Sequence, residues 1–349
     1  MSNENLASYT TDNRVVHRSK NEDINVKLGK IIGKKFIDYR KKWDAVNKLE
    51  VVTDFPMFLH LDLIQTCNYN CTHCNIAHPK SLLESYNGKI SENMDFEKYK
   101  KIVDEGSEYN CPSIEPQGLN EPLLTRSFHK FVEYASKKNF IDIMINTNAS
   151  ALNAKRSQEL LDSGITRLRF SLDAATPETY KKVRVGSLPL NKVIKNIETF
   201  LDLKEKGNYK LPVTGVSMCV MKANQHEKEM FEKFWIDKVD MVSFQAFQAP
   251  NKEYDFKGFY PDSSKPESEK ANIKKFHCPQ PYQRVVVRND IITACCYSFG
   301  NNLVLGKLKD GIYNAWNSDL AKELRGIHKS GDYYLNSVCK RCIQEQAYT

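Results

Sequence analysis

Three cysteines within eight residues are the feature of this sequence best suited to carry out chemistry. Cys67, Cys71 and Cys74 follow a short apolar segment and are separated by three and two residues. Thiolates at this spacing can each bind one iron of an iron–sulfur cluster, which usually takes four cysteine ligands. Three ligands leave one iron open to a substrate or cofactor, as in catalytic metal sites with an open position. A structural zinc knuckle, with His73 or His78 as fourth ligand, is the alternative.

The other cysteines lie mainly near the C-terminal end of the chain. Structural disulfides are rare in the cytosol, so clustered cysteines in a chain without a secretion signal indicate metal binding or catalysis. Cys111 and Cys219 stand alone in the sequence. The C-terminal group consists of Cys278, Cys295, Cys296, Cys339 and Cys342.

Strand-like and helix-like patterns alternate from residue 57 to about residue 250, and these elements must position the first three cysteines. The strand candidates are MFLHLDLIQ, SIEPQG, IDIMIN, RLRFSLD, TGVSMCVM and DMVSFQAF. The amphipathic candidates between them are FEKYKKIVDE, FHKFVEYASKK, RSQELLDS, LNKVIKNIETFLDLKEK and HEKEMFEKFW. Six such βα units predict a parallel sheet, open or curled into an incomplete barrel. Ligands are expected at the carboxyl ends of its strands.

We therefore expect an α/β protein with a partial (β/α)6, TIM-like barrel and a small C-terminal α+β domain. The expected parts are an N-terminal helical extension over 1–56, the barrel over 57–250, a linker over 251–277 and a cysteine-bearing domain over 278–349. The extension has apolar residues at helical spacing near VKLGKIIGKKFIDYRKKWDAV. The linker is polar and carries Ser, Pro and Lys.

The composition predicts a globular, cytoplasmic protein. Of the 349 residues 41% are hydrophobic, and no apolar run is long enough to span a membrane. The N-terminal sequence MSNENLASYTTDNR lacks the pattern of a secretory signal. The 51 basic and 43 acidic residues are interspersed, which favours solvated helix faces over a nucleic-acid-binding surface. A basic docking surface for an acidic electron carrier is the alternative reading of the excess positive charge.

Motifs at successive strand ends resemble those of the radical S-adenosylmethionine (SAM) superfamily, over roughly residues 55–345. The C-x3-C-x2-C spacing has the form of the superfamily signature. PQGLNEPLL is similar to its G-x-G-E-P segment, TNA to its T-N-G, and SLDAATPETYKKVR to its fourth-strand segment. The resemblance implies SAM and a 4Fe–4S cluster bound by Cys67, Cys71 and Cys74.

The same resemblance implies roles for residues around this cluster. At the SAM amino group it implies Glu121 and the backbone near Gly118 and Asn120. It implies Ser171 at the ribose, Arg184 at the SAM carboxylate and His73 at the adenine. Asn148 in the TNA turn and Asp173 in the fourth-strand segment complete the set. Asn120 stands where a second glycine is usual. As structural alternatives, Ser171 and Asp173 can cap a helix and Gly118 can serve a turn.

From Cys278 onward the chain is similar to the SPASM/twitch extension of radical SAM enzymes. This part contains, in order, a first cysteine, a hairpin, an adjacent cysteine pair, an LGKL turn, a Trp-bearing helix and a C-x2-C. The resemblance implies an auxiliary 4Fe–4S cluster held by Cys278, Cys339, Cys342 and one of Cys295 and Cys296. Adjacent strand residues face opposite ways, so both are not expected to bind one cluster. The hairpin spacing favours Cys295 but leaves the register open, and a zinc ribbon is the alternative.

The resemblance implies an enzyme that cleaves SAM to methionine and a 5′-deoxyadenosyl radical, which abstracts hydrogen from a C–H bond. An auxiliary cluster favours net oxidation, and flavodoxin or ferredoxin is the expected electron donor. The short, polar N-terminal part favours a carbohydrate-like or other small-molecule substrate. Cys219 is either a small buried apolar residue or a hydrogen-atom donor. We expect Asn224, Gln245, Gln248 and Tyr254 to contact the substrate. The alternative is that they are ordinary residues at the rim of the barrel.

Other functions remain open on the sequence. One is a peptide-modifying radical SAM maturase, and another is a non-catalytic, zinc-binding interaction protein that uses both cysteine sets. An RNA-modifying enzyme suits the basic charge, but no aromatic-basic interleaving supports nucleic-acid binding. A molybdenum-cofactor cyclase also pairs a radical SAM site with a C-terminal cluster, but that family typically ends in Gly-Gly and this sequence ends QEQAYT.

Overall fold

The structure, a computed structural model, describes residues 15–78, 93–249, 256–262, 275–288, 290–296 and 303–346. The strands are β1 (Val15–Arg18), β2 (Phe58–Leu61), β3 (Asn70–Cys71), β4 (Ser113–Glu115), β5 (Asp142–Thr147), β6 (Arg167–Ser171), β7 (Arg184–Val185), β8 (Val213–Val220), β9 (Met241–Ala246), β10 (Arg284–Arg288), β11 (Ile291–Thr293) and β12 (Val304–Lys307). The helices are α1 (Ile24–Ile32), α2 (Lys34–Asn47), α3 (Phe96–Glu108), α4 (Phe128–Lys137), α5 (Ala154–Asp162), α6 (Pro177–Val183), α7 (Leu190–Lys206), α8 (Lys228–Trp235), α9 (Gln280–Gln283), α10 (Ile312–Trp316), α11 (Asp319–Ser330) and α12 (Ser337–Gln346).

Six parallel strands form the centre of a ten-stranded sheet. The strand order is β1-β9-β8-β6-β5-β4-β2-β10-β11-β12. The neighbours from β2 through β4, β5, β6 and β8 to β9 are all parallel. Helices α3 to α8 connect these strands, and every predicted barrel strand and helix is present. The predicted α/β class with a partial (β/α)6 barrel is therefore confirmed.

Helix α7 shows how the outer layer of the barrel is held. Its buried residues are Leu190, Val193, Ile197 and Phe200, which recur at the three- and four-residue spacing of one helix face. The Phe200 ring meets Phe170 of β6 edge-on, with ring centroids 5.9 Å apart. Because the outer strand faces are covered by apolar side chains, alternate residues on the inner faces are free to carry polar groups.

The N-terminal part is more than the predicted helical extension. Its helical stretch breaks at Gly33, whose φ of +85° is in the left-handed region that favours glycine. Ahead of the helices, β1 pairs antiparallel with β9, with Val16 opposite Phe244. The four residues VVHR are too few for a strand period to be recognised, so the sequence pattern does not reveal this strand.

The C-terminal part continues the barrel sheet. Strand β10 pairs parallel with β2, from Arg284 opposite Phe58 to Val287 opposite Leu61. Strands β11 and β12 then add antiparallel neighbours. Helix α10 packs back on the barrel side, where the Trp316 indole donates to the Thr53 carbonyl at 2.6 Å.

The predicted boundaries between the four parts stay predictions. Most of the predicted linker 251–277, including Tyr254, lies outside the described residues. In the part of the chain that the structure describes, no helix combines the length and apolarity needed to cross a bilayer.

Candidate active site and iron–sulfur ligand sets

The first cysteine set, Cys67, Cys71 and Cys74, lies on the connection after β2 and is called the triplet below. Cys71 is in β3, which pairs antiparallel with β7 and so sets Cys71 opposite Arg184. The Cys74 amide donates to the Cys71 carbonyl at 2.9 Å, and the Tyr69 amide donates to Cys67 Sγ at 3.4 Å. These backbone contacts fold the connection into a compact turn around the three sulfur atoms.

The three thiols share one poorly solvated environment. Burial raises the pKa of each thiol, that of Cys71 to about 12, to which Cys74 and Cys67 also contribute. Thiolates here need cationic neighbours, which the irons of a cluster provide. Among the described residues, no three histidine, cysteine, aspartate or glutamate side chains are arranged to hold a single metal ion. In a 4Fe–4S cluster each thiolate binds a different iron, so the three sulfur atoms need not converge on one metal ion.

The two histidines considered as zinc ligands direct their Nε2 atoms at oxygen. His73 Nε2 lies 3.2 Å from Asp173 Oδ2, and His78 Nε2 lies 3.0 Å from the Thr72 carbonyl oxygen. These contacts engage the Nε2 atom of each ring. The first contact also places His73 against the Asp173 carboxylate beside the triplet.

Asp173 is the centre of a buried charge cluster at the end of β6. Its φ of +62° is a left-handed conformation, and its Oδ2 lies 2.6 Å from Arg184 Nη2. Burial opposes ionisation of Asp173, but Arg184 and His73 outweigh it and hold the pKa of this carboxyl well below its usual range. Arg184 Nε is buried and has no hydrogen-bond partner among the described residues. That N–H fits an anionic ligand such as the SAM carboxylate implied by the family resemblance.

Asp173 also joins two strand ends. Its Oδ1 accepts from the Cys219 amide at 2.7 Å, which brings the end of β8 beside the triplet. Burial raises the pKa of the Cys219 thiol well above its ordinary value, and Asp173 adds to the shift. Cys219 is only partly buried, so it is not simply a core residue.

Asn224, predicted as a substrate contact, has a structural position instead. It is fully buried. Its amide donates to the carbonyls of Asp173 and Cys219, each at 2.8 Å, and its Oδ1 accepts from the Met221 amide at 2.6 Å. This placement contradicts the predicted contact, because all the usual hydrogen bonds of the side chain go to the backbone.

Glu121 ties the end of β4 to the end of β5. Its carboxylate accepts from the Thr147 hydroxyl at 2.6 Å, the Asn148 amide at 2.7 Å and the Leu123 amide at 3.1 Å. Burial raises its pKa. The Asn148 side chain in turn lies 3.8 Å from Cys67 Sγ. The expected contact of Glu121 with the SAM amino group stays a prediction.

Gly118 and Asn120 shape the neighbouring segment. A Cβ on Gly118 would lie 1.2 Å from Asp62 Oδ1, so the carboxylate occupies the space of any side chain. The Asn120 amide donates to the Ile64 carbonyl at 2.6 Å and so holds the segment against the chain before the triplet. Ser171 is half-buried at the end of β6, and its ribose contact also stays a prediction.

The second cysteine set separates the adjacent pair. Four cysteines, called the auxiliary set, line one small cavity together with His328: Cys278, Cys295, Cys339 and Cys342. Cys296 instead lines a larger cavity inside the barrel. The structure therefore favours Cys295 in the register that the sequence leaves open, although ligation itself stays a prediction.

His328 connects two members of the auxiliary set. The Cys278 amide donates to His328 Nδ1 at 3.3 Å, and His328 Nε2 lies 3.3 Å from Cys339 Sγ. Burial lowers the pKa of His328 to about 4, against a weaker opposing effect of the Phe276 carbonyl. A neutral ring that accepts at Nδ1 carries its hydrogen on Nε2, so His328 donates to the Cys339 sulfur.

The larger space, called the barrel cavity, has a volume of about 290 Å³. Apolar side chains from α2, β2 and β9 close its floor, including Trp43, Phe58 and Met241. Its polar lining includes His17, His60, Glu115, Arg169, Gln245 and Arg284. Of the predicted substrate contacts, Gln245 lines this space, whereas Gln248 is half-buried outside it.

Sequence reasoning missed His60, Glu115 and Arg169. Their signal is present, because each is a polar residue next to a buried apolar residue in a short barrel strand. His60 Nδ1 lies 3.5 Å from Glu115 Oε2, and Asn146 bridges Glu115 and Arg169 with contacts of 2.6 and 2.5 Å. Burial raises the pKa of Glu115 to about 7, although Arg169 and Arg284 oppose that shift.

Comparison with known families gives this arrangement its context. A family described as the radical SAM superfamily matches residues 61–234, and the iron–sulfur cluster-binding SPASM domain matches residues 278–343. This chain belongs to the radical SAM superfamily. It carries a C-terminal SPASM domain, and its cofactors are 4Fe–4S clusters and SAM.

Curated relatives match part of this chain. A probable GTP 3′,8-cyclase of Methanococcus maripaludis strain C5 is 32% identical over 143 residues, 41% of this chain and 45% of the relative. A tungsten-containing aldehyde ferredoxin oxidoreductase cofactor-modifying protein of Pyrococcus furiosus is 26% identical over 168 residues, 48% of this chain and 44% of the relative. The chain thus spans about half the length of the curated relatives it matches.

Solved structures share the fold over most of this radical SAM chain. BtrN in complex with AdoMet and 2-DOIA aligns with a TM-score of 0.52 at 17% identity, over 82% of this chain and 93% of that one. anSMEcpe with bound AdoMet and the Kp18Cys peptide aligns with a TM-score of 0.57 at 14% identity, over 83% and 88%. At these identities the likeness concerns the fold.

Proposed function

We propose that this radical SAM enzyme oxidises a small molecule held in the barrel cavity. The observation that carries the proposal is that Gln245, which lines the cavity, is the register partner of Cys219 at the triplet end of the barrel. Gly215 on β8 also lines the cavity, and Cys219, whose amide donates to Asp173, comes four residues further along the same strand. At about 3.3 Å per residue this is a separation of roughly 13 Å. A molecule in the cavity can therefore extend toward a cofactor at the triplet.

In this proposal the triplet binds the SAM-binding cluster. When bound, that cluster and SAM supply a 5′-deoxyadenosyl radical that takes a hydrogen atom from a substrate C–H bond, as in the superfamily. The chain's own residues position and enclose the reactants. Arg184 offers its free Nε–H to the SAM carboxylate, while Asp173 and His73 fix the guanidinium. The buried strand ends exclude water from the site.

The proposed net oxidation removes two electrons and two protons from the substrate. One electron and one proton leave together as the abstracted hydrogen atom. An auxiliary cluster held by Cys278, Cys295, Cys339 and Cys342 would accept the second electron, and the second proton would go to a basic group of the site or to water. Cys295 and Cys296 support this route because they link the auxiliary set directly to the cavity wall.

A small molecule is favoured over a peptide by the shape of the cavity. Its floor is closed by helix α2, and its volume is at the lower end for small-molecule sites. A carbohydrate-like substrate and reduction by flavodoxin or ferredoxin remain parts of this proposal.

The first test is the iron and sulfide content of anaerobically reconstituted protein. We expect about eight irons per chain in the wild type and about four in Cys67→Ala/Cys71→Ala/Cys74→Ala. Cys111→Ala, at a buried cysteine outside both sets, is the matched control and should keep all the iron. Addition of SAM and dithionite should then yield 5′-deoxyadenosine in the wild type and the control only. Zinc in place of iron, or no 5′-deoxyadenosine from iron-loaded wild type, contradicts the proposal.

A further inference from the structure

Two guanidinium groups face the barrel cavity without an acidic partner in contact. Arg169 Nε donates to the neutral Asn146 side chain at 2.5 Å. Arg284 Nη2 donates to the neutral Gln283 side chain at 3.3 Å, and its guanidinium lies 4.6 Å from the centre of the Phe58 ring. Arg284 Nε is buried and has no hydrogen-bond partner among the described residues.

Other arginines of the same sheet are neutralised. Arg167 contacts both carboxylate oxygens of Asp142, at 2.6 and 3.0 Å. Arg288 Nε lies 3.0 Å from Asp62 Oδ2. Within 4.0 Å, neither Arg169 nor Arg284 has such an ion pair to any described residue. Arg167 and Asp142 line the same cavity, so the missing counter-charge concerns Arg169 and Arg284 specifically.

Glu115 does not neutralise the two guanidiniums by direct contact. One of its oxygens accepts from Asn146 and the other faces His60 at 3.5 Å. Burial also raises its pKa to about 7, so it is partly protonated near neutral pH. Burial of a guanidinium without a counter-charge is costly. No described carboxylate contacts either guanidinium directly, so both are available to an anion in the cavity.

We infer that Arg169 and Arg284 bind an anionic group, a carboxylate or a phosphate, of the small-molecule substrate. This inference rests on the proposed function, because it concerns the substrate of the same cavity. Guanidiniums suit both groups, since their N–H donors form paired, charge-assisted hydrogen bonds with two oxygens.

The position of the two arginines assigns an orientation to the substrate. Arg169 precedes Asp173 by four residues, so its Cα lies at most about 13 Å from this residue at the triplet end of the barrel. The anionic group is anchored deep in the cavity, and the C–H bond to be broken lies several bonds away, toward the triplet. Gln245 lines the same space and offers neutral hydrogen bonds to the part between them.

The test is calorimetric binding of inorganic phosphate and of acetate to the cluster-loaded protein. We expect binding of at least one anion to the wild type, weakened about tenfold or more in Arg169→Gln and in Arg284→Gln, because hydrogen bonds to charged groups contribute at least this factor. Tighter binding of phosphate identifies a phosphate ester, and tighter binding of acetate identifies a carboxylate. Arg126→Gln, at an exposed arginine, is the matched control and should bind like the wild type.

No binding of either anion at tens of millimolar, or equal binding by the wild type and both variants, overturns the inference. Iron content and 5′-deoxyadenosine formation with SAM and dithionite alone are measured on the same samples. Anion binding without 5′-deoxyadenosine retains the anion site and contradicts the proposed enzyme. The reverse result retains the radical chemistry and rejects the anion site. Arg169→Lys preserves the charge and provides a second variant if Arg169→Gln does not fold.

Discussion

At the residue scale, Cys295 and Cys296 are adjacent in the chain and face different surroundings. Cys295 is in the auxiliary set with Cys278, Cys339 and Cys342, whereas Cys296 lines the barrel cavity. The dipeptide therefore forms part of the wall between the proposed electron acceptor and the proposed substrate. This position gives the two cysteines separate roles that single substitutions can distinguish.

We expect Cys295→Ala to lose about four irons per chain and Cys296→Ala to keep them, because only the first substitution removes a ligand of the auxiliary cluster. The measurement is iron and sulfide content after anaerobic reconstitution, with each variant as the control for the other. Equal iron in both variants would rule out this assignment. Loss of iron in Cys296→Ala alone would reverse it.

His328 is expected to tune the auxiliary cluster. Its Nε2–H donates to the Cys339 sulfur, and such a hydrogen bond stabilises the more negative, reduced cluster. We expect His328→Phe to shift the midpoint potential of this cluster to more negative values. The shift is measured by potentiometric EPR titration in protein that lacks the triplet cysteines. His328→Gln, which keeps an N–H donor, should restore part of the potential, and an unchanged potential in an iron-loaded Phe variant would disprove the effect.

At the element scale, helix α2 is the floor of the barrel cavity. Its buried residues are Phe36, Tyr39, Trp43 and Val46, on one helix face. The Trp43 ring meets the Phe58 ring of β2 edge-on, at 6.4 Å between centroids. The N-terminal helices thus have a direct role in enclosing the site.

We expect Trp43→Ala to destabilise the protein by about 3–5 kcal/mol, because it removes a large buried side chain and leaves a cavity at the barrel floor. The measurement is the urea midpoint of the cluster-loaded protein under anaerobic conditions. Ile37→Ala on the same helix is the control, since Ile37 is 44% exposed, and it should change the midpoint only slightly. Equal midpoints for the two variants would show that α2 is not held by this face.

At the scale of the whole molecule, titration of Glu115 is expected to make the stability of the folded protein depend on pH. Burial raises its pKa from 4.5 to about 7, so between these values the folded state holds a proton that the unfolded state has lost. The contribution of Glu115 to the free energy of unfolding therefore falls as the pH rises from about 4.5 through 7. The groups around it are His60, Asp62, Arg169, Arg284 and Cys296.

The substitution Glu115→Gln should remove the pH-dependent contribution of Glu115 to stability. We expect the variant to gain stability relative to the wild type as the pH rises from 5 to 8, by up to about 3 kcal/mol at 1.36 kcal/mol per pKa unit. Thermal midpoints at a series of pH values measure the difference. Glu229→Gln, at an exposed position of α8, should track the wild type at every pH. A constant offset between Glu115→Gln and the wild type would contradict the raised pKa.

Local patterns predicted the fold well because each barrel strand and helix has its own periodicity. The triplet and the strand-end motifs were equally visible, since their spacing is short. The pattern did not reveal β1, which is short and pairs with a distant strand. It also did not reveal that Arg169 and Arg284 share one cavity, or that Asn224 is used by the backbone. These features depend on contacts between segments far apart in the chain, which no local pattern records.

The pairing of β2 with β10 has a consequence for biosynthesis. The partners are separated by 226 residues, so β2 emerges from the ribosome long before β10 is made. At a translation rate of about 5–20 residues per second, this edge of β2 stays unpaired for roughly 10–45 s. Exposed edge strands are templates for wrong pairing. The interval during translation, before the final segment arrives, is therefore the period in which this chain most needs chaperone protection.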